Sequence, residues 1–352
     1  MDSAIPYVRA EGDPYALGLQ HGRRRAAALQ AFVGDSLCRL NLLLPRPVDE
    51  VALAPTVAAY RAAIEAAVPD LAAETEGLAA GAGLSVAQAY LLQLRREVLG
   101  YRKVPSAGDC TTYARSGAAP GREPVLAQTV DLNGDLDDQI TVLDLARSGS
   151  PRRSLLLSFG GLLGYLGLNS SGLAVGLNLV LGGRWRPGVP PYLAIRHLLD
   201  SADDVTQALA LLRTLPLASS RSLTLCDARR VVCVEHLDGE WRETEGTQSA
   251  HTNHFLHRDF AARDEINVFA RRSSVRRLDA ARAALAELGA DAGPEHHFSV
   301  LAAPPICVPG NGDVRRERTV AAAVLLPARG ELHLRPGDPS KSSTHIFRLE
   351  HR

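Results

Sequence analysis

Apolar residues recur every three or four positions through most of the first hundred residues, a spacing typical of helices. Residues 14–44 carry this pattern and open at Asp13-Pro14, a capping residue followed by proline at the first helical position, so they predict one or two helices. A second helix is predicted over residues 51–68. A third opens at Ser85, where a glutamine three residues later completes a capping-box pattern.

Two glycines, Gly18 and Gly22, fall on one face of the first predicted helix. Glycine carries no side-chain carbon, so such a face lets a neighbouring backbone come unusually near. We therefore expect another element to pack closely against this face.

The pattern changes at Cys110, after which short apolar or alternating runs are separated by Gly, Pro and Asp turns, as is typical of strands. Strands are predicted at residues 110–115, 124–131, 139–146, 154–159, 166–168, 173–179, 222–226, 231–236, 319–326 and 331–334. Further helices are predicted at residues 191–199, 201–212, where Ser201 and Asp204 resemble a capping box, and 274–288. This order predicts an α+β fold with mainly antiparallel sheets, and Cys110 is the only natural boundary.

Composition narrows the range of functions. The chain has 352 residues, with 39 Lys+Arg against 39 Asp+Glu, so its formal net charge is +0 and no bulk field favours nucleic acid or an anionic membrane. The amino terminus lacks a signal-peptide pattern, and no apolar run reaches the roughly 20 residues of a membrane span. We therefore expect a soluble protein in the cytoplasm.

The five cysteines are an odd number and are widely spaced, with no zinc-binding pattern. Most free cysteines are buried as small apolar residues, and Cys226, Cys233 and Cys307 are assigned to that role. Cys110 lies in a different context. If the bond before it were cut, its own α-amino group, with an ordinary pKa of roughly 7.7 to 8.0, could accept the thiol proton. One residue would then supply both nucleophile and base.

Seven segments follow one another in an order that resembles a known family. They are residues 13–22, 76–85, 110–112, 128–131, 167–173, 251–255 and 306–307, the last followed by an arginine. The chain resembles the acyl-CoA:6-aminopenicillanic acid acyltransferase-like proteins, which are cysteine members of the N-terminal nucleophile hydrolase superfamily. This resemblance implies a single domain with a four-layer αββα sandwich, in which two mostly antiparallel sheets lie between helical layers.

The resemblance also implies self-cleavage between Asp109 and Cys110. The cut would leave a mainly helical segment, residues 1–109, and a β-rich catalytic segment, residues 110–352. The chain departs from the family pattern here, because Asp109 stands where the type enzyme has glycine.

Site residues are carried over from the same resemblance. Cys110 matches the nucleophile, Asn253 the amide that binds the oxyanion, Asp131 an acidic residue near the nucleophile, and Arg316 an arginine held against the site. The supporting or substrate-binding residues are Thr111, Thr112, His251 and Thr252.

The implied reaction is acyl transfer through a Cys110 thioester, which cleaves or forms amide bonds of small N-acyl amines or peptide-like natural products. The expected partners are an acyl donor (amide or acyl thioester), an amine or water acceptor, the chain's own N-terminal fragment and a second copy in a homodimer. No metal or organic cofactor is required.

Other interpretations remain open from the residues alone. Asp131 lies near an acidic, turn-rich stretch that suits a solvated loop, and Arg316 is one of many arginines. His251 or His254 could pair with Cys110 in a Cys/His hydrolase that needs no self-cleavage. A protein that turns nothing over and binds a metabolite in a biosynthetic assembly is the alternative outside enzymes.

Overall fold

The computed structural model describes residues 4–100, 110–118 and 122–350. Its helices are α1 (Pro14–Gly34), α2 (Leu40–Leu43), α3 (Glu50–Ala67), α4 (Pro69–Ala82), α5 (Val86–Leu99), α6 (Pro191–Ser201), α7 (Val205–Leu212), α8 (Arg258–Ala261), α9 (Val268–Glu287) and α10 (Pro294–Ala302). Its strands are β1 (Tyr7–Gly12), β2 (Thr111–Arg115), β3 (Val125–Leu132), β4 (Ile140–Arg147), β5 (Arg153–Phe159), β6 (Leu166–Asn169), β7 (Ala174–Leu179), β8 (Arg221–Cys226), β9 (Val231–Leu237), β10 (Glu240–Gly246), β11 (Gln248–His251), β12 (Arg318–Leu326), β13 (Glu331–Pro336) and β14 (His345–Arg348).

The strands form two sheets. The first has the order β1-β4-β5-β6-β7-β8-β9-β10, and the second has the order β11-β2-β3-β12-β13-β14. Neighbours are antiparallel except for β1, which pairs with β4 in parallel. The strand that follows Cys110 is therefore an inner strand of the second sheet, hydrogen-bonded on both sides.

The two sheets pack face to face, with helices on their outer faces. Strands β2 and β3 contact β7 across the interface between the sheets, α6 and α7 cover the first sheet, and α9 and α10 cover the second. The predicted α+β fold and αββα layering are confirmed by this arrangement.

Several details differ from the sequence predictions, and α4, α10, β10, β11 and β14 were not predicted. Helix α7 begins at Val205, and its cap is the side chain of Asp204, which accepts the Gln207 N–H, while Ser201 ends α6. Helix α9 begins at Val268, six residues before the predicted Ser274 (274−268), because Asn267 caps it. Strand β1 was not predicted, since its partner β4 lies more than a hundred residues away.

The glycine face of α1 packs directly against α4. A Cβ at Gly18 would overlap the Glu74 carbonyl oxygen, and a Cβ at Gly22 would overlap that of Leu78. Gly77 on α4 faces α1 in the same way, over the Tyr15 carbonyl. The expected close approach of another element is confirmed.

Among the described residues, no single helix is long and apolar enough to cross a membrane. One bent pair, α4 with α5, passes that test of length and composition when the two helices are taken together across their 119° bend.

Because of the α1–α4 contact, replacing two glycines of α1 by alanine should change the free energy of unfolding very differently. Gly18→Ala should lower the free energy of unfolding by about 2 kcal/mol or more, because the helices must separate to admit one carbon. Gly34→Ala should leave stability unchanged or raise it by up to about 1 kcal/mol, since a Cβ there meets nothing within 4 Å. Urea unfolding of both variants tests the contact, and equal effects would contradict it.

Candidate active site

Cys110 lies immediately before β2 and is buried, with 1% of its surface exposed. Its sulfur lies 3.6 Å from the Tyr165 hydroxyl. Because strand side chains alternate between faces, Cys110 and Thr112 face the first sheet, whereas Thr111 faces the outer helices. The Thr112 hydroxyl accordingly donates to the Leu177 carbonyl of β7 at 3.5 Å.

One arginine joins the start of β2 to the candidate oxyanion residue. Arg277 of α9 is fully buried, and its Nη1 donates to the Cys110 carbonyl oxygen at 2.9 Å and to the Thr111 hydroxyl at 3.0 Å. Its Nη2 donates to the Asn253 Oδ1 at 2.7 Å. The Cys110 carbonyl also accepts from the Asn178 side chain at 2.8 Å. The backbone of Cys110 is therefore fixed from two sides.

The orientation of the Asn253 amide is determined by its neighbours. Its Oδ1 faces Arg277, and its Nδ2 donates to the Leu179 carbonyl at 3.0 Å. Its backbone N–H donates to the Ser274 hydroxyl at 2.8 Å, and Thr252 donates to the Ser274 carbonyl. An amide NH₂ carries two hydrogens, so one N–H is left after the bond to Leu179.

Asp131 lies on β3, beside the start of β2. The hydroxyl of Thr129, two residues earlier on the same face, accepts the Thr111 backbone N–H at 3.0 Å. Asp131 is buried, and its Oδ1 accepts from the Thr319 hydroxyl at 2.7 Å. The other side of the expected cleavage bond, Asp109, lies outside the described residues.

The histidines near Asn253 are engaged elsewhere. His251 Nε2 lies 2.9 Å from the Glu235 carboxylate, and its Nδ1 lies 2.8 Å from the Thr252 carbonyl. Burial alone would raise the pKa of Glu235, but hydrogen bonds from His251 and two backbone N–H groups lower it. His254 bonds the Ser274 hydroxyl, and burial lowers the pKa of its ring to about 4. This geometry does not favour a Cys/His pair.

Arg316 lies outside this network. Its side chain is 63% exposed, and its ion-pair partner among the described residues is Asp313, at 4.0 Å. The arginine that contacts both Cys110 and Asn253 is Arg277, which the sequence analysis did not select. A signal for it existed, because Ala270, Ser274, Arg277 and Ala281 share one helical stripe that is buried in α9.

A cavity is lined by Tyr165, the residue whose hydroxyl contacts the Cys110 sulfur. Tyr165 lines it together with Phe159 and Tyr192, and the three rings form one cluster in which Tyr165 stacks on Tyr192 and meets Phe159 edge-on. Its remaining wall comes from α1, α5, the end of β3 with the residues that follow it, and the connection between β5 and β6. The described residues contain no group of three or more His, Cys, Asp or Glu side chains able to hold a metal ion.

The fold and the site together define a two-sheet sandwich with a buried cysteine at the start of an inner strand. A sequence model of the family described as acyl-coenzyme A:6-aminopenicillanic acid acyl-transferase matches residues 118–341, more than half of the chain. The protein belongs to this family. The matched range includes Asp131 and Asn253 and begins eight residues after Cys110 (118−110).

A curated relative is similar over part of its length. The acyl-coenzyme A:6-aminopenicillanic-acid-acyltransferase 40 kDa form of Emericella nidulans is 28% identical over 199 residues, which are 54% of this chain and 53% of the relative. The chain therefore spans about half the length of that relative.

Solved structures give similarities of shape. Penicillin V acylase from Agrobacterium tumefaciens has a TM-score of 0.48 at 15% identity, covering 68% of this chain and 86% of its own. The N-acylethanolamine-hydrolyzing acid amidase ortholog of Caenorhabditis elegans has a TM-score of 0.47 at 17% identity, covering 68% of this chain and 100% of its own. The classification rests on the family match.

The contrast between the two arginines gives a matched test. Arg277→Lys keeps the charge but loses the fork that reaches Cys110 and Asn253 together, so we expect turnover to fall by about tenfold or more through misplacement of these groups. Arg316→Lys should leave turnover unchanged. Steady-state kinetics on both variants, with circular dichroism as the folding control, decide the assignment. If Arg316→Lys alone lost turnover, the role at the site would belong to Arg316 and not to Arg277.

Proposed function

We propose that this protein is a self-processing amidohydrolase or acyltransferase that uses a Cys110 thioester. The observation that carries the proposal is the Arg277 network, which holds the Cys110 backbone and the Asn253 amide in one arrangement beside a cavity. Membership of an acyltransferase family supports the same chemistry.

Cleavage of the Asp109–Cys110 bond would free the α-amino group of Cys110. That amine takes the thiol proton, and the thiolate attacks the carbonyl carbon of an amide or acyl thioester. The resulting tetrahedral intermediate expels the amine or thiol with a proton returned from the α-ammonium group. Water or a second amine then attacks the thioester and releases the acyl group, which restores Cys110.

Asn253 is the proposed oxyanion donor. The guanidinium of Arg277 holds its Oδ1, so the amide cannot turn its oxygen towards the developing negative charge. Of its two N–H bonds, one is committed to the Leu179 carbonyl and the other is the proposed donor. Asp131, buried on β3 beside the start of β2, is proposed to orient the new α-amino group.

The proposed substrates are small N-acyl amines or peptide-like natural products, with an amide or an acyl-coenzyme A thioester as donor. The cytoplasmic location, the retained N-terminal fragment and a homodimer belong to the same proposal. The family description supports the acyl donor, and the neutral overall charge supports a small-molecule partner over nucleic acid.

Replacing the nucleophile should stop both reactions. Cys110→Ala should leave the chain uncut and reduce amide turnover by about a thousandfold or more, because no other group forms the thioester. The Cys307→Ala variant should be processed and active, because Cys307 is a buried cysteine whose sulfur hydrogen-bonds Asp338. Gel analysis and a chromogenic anilide assay read out the two effects. Full turnover by Cys110→Ala would refute the proposal.

Replacing the oxyanion donor should separate binding from chemistry. Asn253→Ala should lower kcat by about a hundredfold, with little change in KM, since the lost N–H acts on the transition state. Asn178→Ala is the matched comparison. It also removes a side-chain amide, but that amide contacts the Cys110 carbonyl oxygen. If Asn253→Ala raised KM and left kcat intact, its role would be substrate binding.

A further inference from the structure

The carboxylate of Glu235 lies at the centre of the segment that carries Asn253. Glu235 belongs to β9 and is buried, with 3% of its surface exposed. Its Oε1 lies 2.9 Å from His251 Nε2 and accepts the Leu256 backbone N–H at 2.6 Å. Its Oε2 accepts the His257 backbone N–H at 3.0 Å. One carboxylate from the first sheet therefore bonds residues on both sides of Asn253.

The ring of His251 lies between two oxygen atoms. Its Nε2 faces Glu235 Oε1, and its Nδ1 lies 2.8 Å from the Thr252 carbonyl oxygen. A carbonyl oxygen and an ionised carboxylate can only accept hydrogen bonds, so a ring with a single hydrogen would leave one of these two contacts without a donor. Both contacts are satisfied when both nitrogens carry a hydrogen. The ring is then a cation beside the Glu235 anion.

The proton belongs to the ring and not to the carboxyl group. Two backbone N–H groups donate to Glu235, and such bonds stabilise a carboxylate relative to the carboxylic acid. Burial by itself would raise the pKa of Glu235, but the hydrogen bonds from His251 and from these N–H groups lower it. The two side chains are 0% and 4% exposed, so they form an ion pair away from water.

The other charged and titratable groups that act on this pair have different partners. Burial lowers the pKa of the His254 ring to about 4, so that ring is neutral at pH 7. Asp264 pairs with Arg271 at 3.4 Å, and Arg277 bonds the Asn253 side chain. The carboxylate from β9 is therefore the anion that compensates for the charge on the ring.

The same ring holds the peptide group directly before the oxyanion residue. The Thr252 carbonyl and the Asn253 N–H belong to one planar peptide group. His251 Nδ1 donates to this carbonyl at 2.8 Å, and the Ser274 hydroxyl accepts the N–H at 2.8 Å. Because the group is held at both ends, it fixes the direction in which the Asn253 side chain leaves the main chain.

We propose that Glu235 is a positioning residue for Asn253, because it holds His251 as a doubly protonated ring that fixes the peptide group before Asn253. Glutamine cannot take its place. Both carboxylate oxygens face a backbone N–H, and the NH₂ group of a glutamine would oppose one of them. This inference rests on the proposed function, since it concerns the oxyanion donor assigned there. It adds a residue of the first sheet on which the placement of that donor depends.

Kinetics of two matched variants test the effect on the reaction. Glu235→Gln should lower kcat by about tenfold or more with little change in KM, because a displaced oxyanion donor weakens binding of the transition state and not of the substrate. Glu331→Gln is the control. The Glu331 carboxylate also contacts a buried ring, that of His333 at 2.8 Å, but it lies on β13, which β3 and β12 separate from β2. This variant should keep the wild-type kcat. An unchanged kcat in folded Glu235→Gln would overturn the inference.

A spectroscopic measurement reads the ring directly and needs no turnover. Long-range ¹H–¹⁵N NMR of protein labelled with ¹⁵N-histidine distinguishes a doubly protonated ring from either neutral tautomer. At mildly alkaline pH, where exposed histidine rings are neutral, the wild type should show a doubly protonated ring whose signals are absent in Glu235→Gln and retained in Glu331→Gln. If every ring of the wild type were neutral, the inference would be wrong even if Glu235→Gln failed to fold.

Hydrogen exchange tests the step from the ring to Asn253. The Asn253 N–H bonds Ser274 and not Glu235, so its exchange rate reports on positioning that acts through His251. Exchange of this amide, resolved by mass spectrometry with fragmentation, should be about tenfold or more faster in Glu235→Gln and unchanged in Glu331→Gln. Equal exchange in wild type and Glu235→Gln would contradict the inference. If the ring signals and this exchange change as expected but the wild type turns over no amide, the failure belongs to the proposed function.

Discussion

The candidate site depends on one buried cation, the guanidinium of Arg277. It reaches from α9 through the outer face of the second sheet and binds the Cys110 carbonyl, the Thr111 hydroxyl and the Asn253 amide oxygen. These three acceptors come from a strand start and a loop that are more than 140 residues apart in sequence (253−110). A donor of this shape ties the start of β2 to the amide, in addition to the bonds that each makes with its other neighbours.

The two sheets provide the second constraint. Gln128 of β3 hydrogen-bonds both the N–H and the carbonyl of Leu177 on β7, so a polar contact crosses the interface between the sheets. Gly176 permits it, because a Cβ there would come within 2.6 Å of the Gln128 side-chain oxygen. A satisfied buried polar pair of this kind fixes the alignment of the sheets and therefore the depth at which Cys110 lies.

Sequence patterns that involve only a few neighbouring residues predicted the local structure correctly. The Ser85–Gln88 capping box forms as the sequence indicates. The signals that failed depend on distant partners or on exposed polar sequence. Strand β10 lies at the edge of the first sheet and has no buried residue, so its sequence lacks the apolar alternation that is typical of strands.

Only part of the candidate site could be predicted from the sequence. Resemblance supplied Cys110, Asp131, Asn253 and Arg316, but the Arg316 side chain is exposed and lies outside the network around Cys110. Arg277 belongs to the helix α9, whose arginines look alike until packing against β2 buries one of them.

The central claim is that Cys110 becomes the amino-terminal nucleophile of the mature protein. The most direct measurement is the intact mass of freshly purified wild-type protein, before and after treatment with iodoacetamide. The account predicts two chains, one ending at Asp109 and the other beginning at Cys110, with the adduct at the first residue of the larger chain. A single chain of 37.6 kDa that carries no adduct at Cys110 would contradict it.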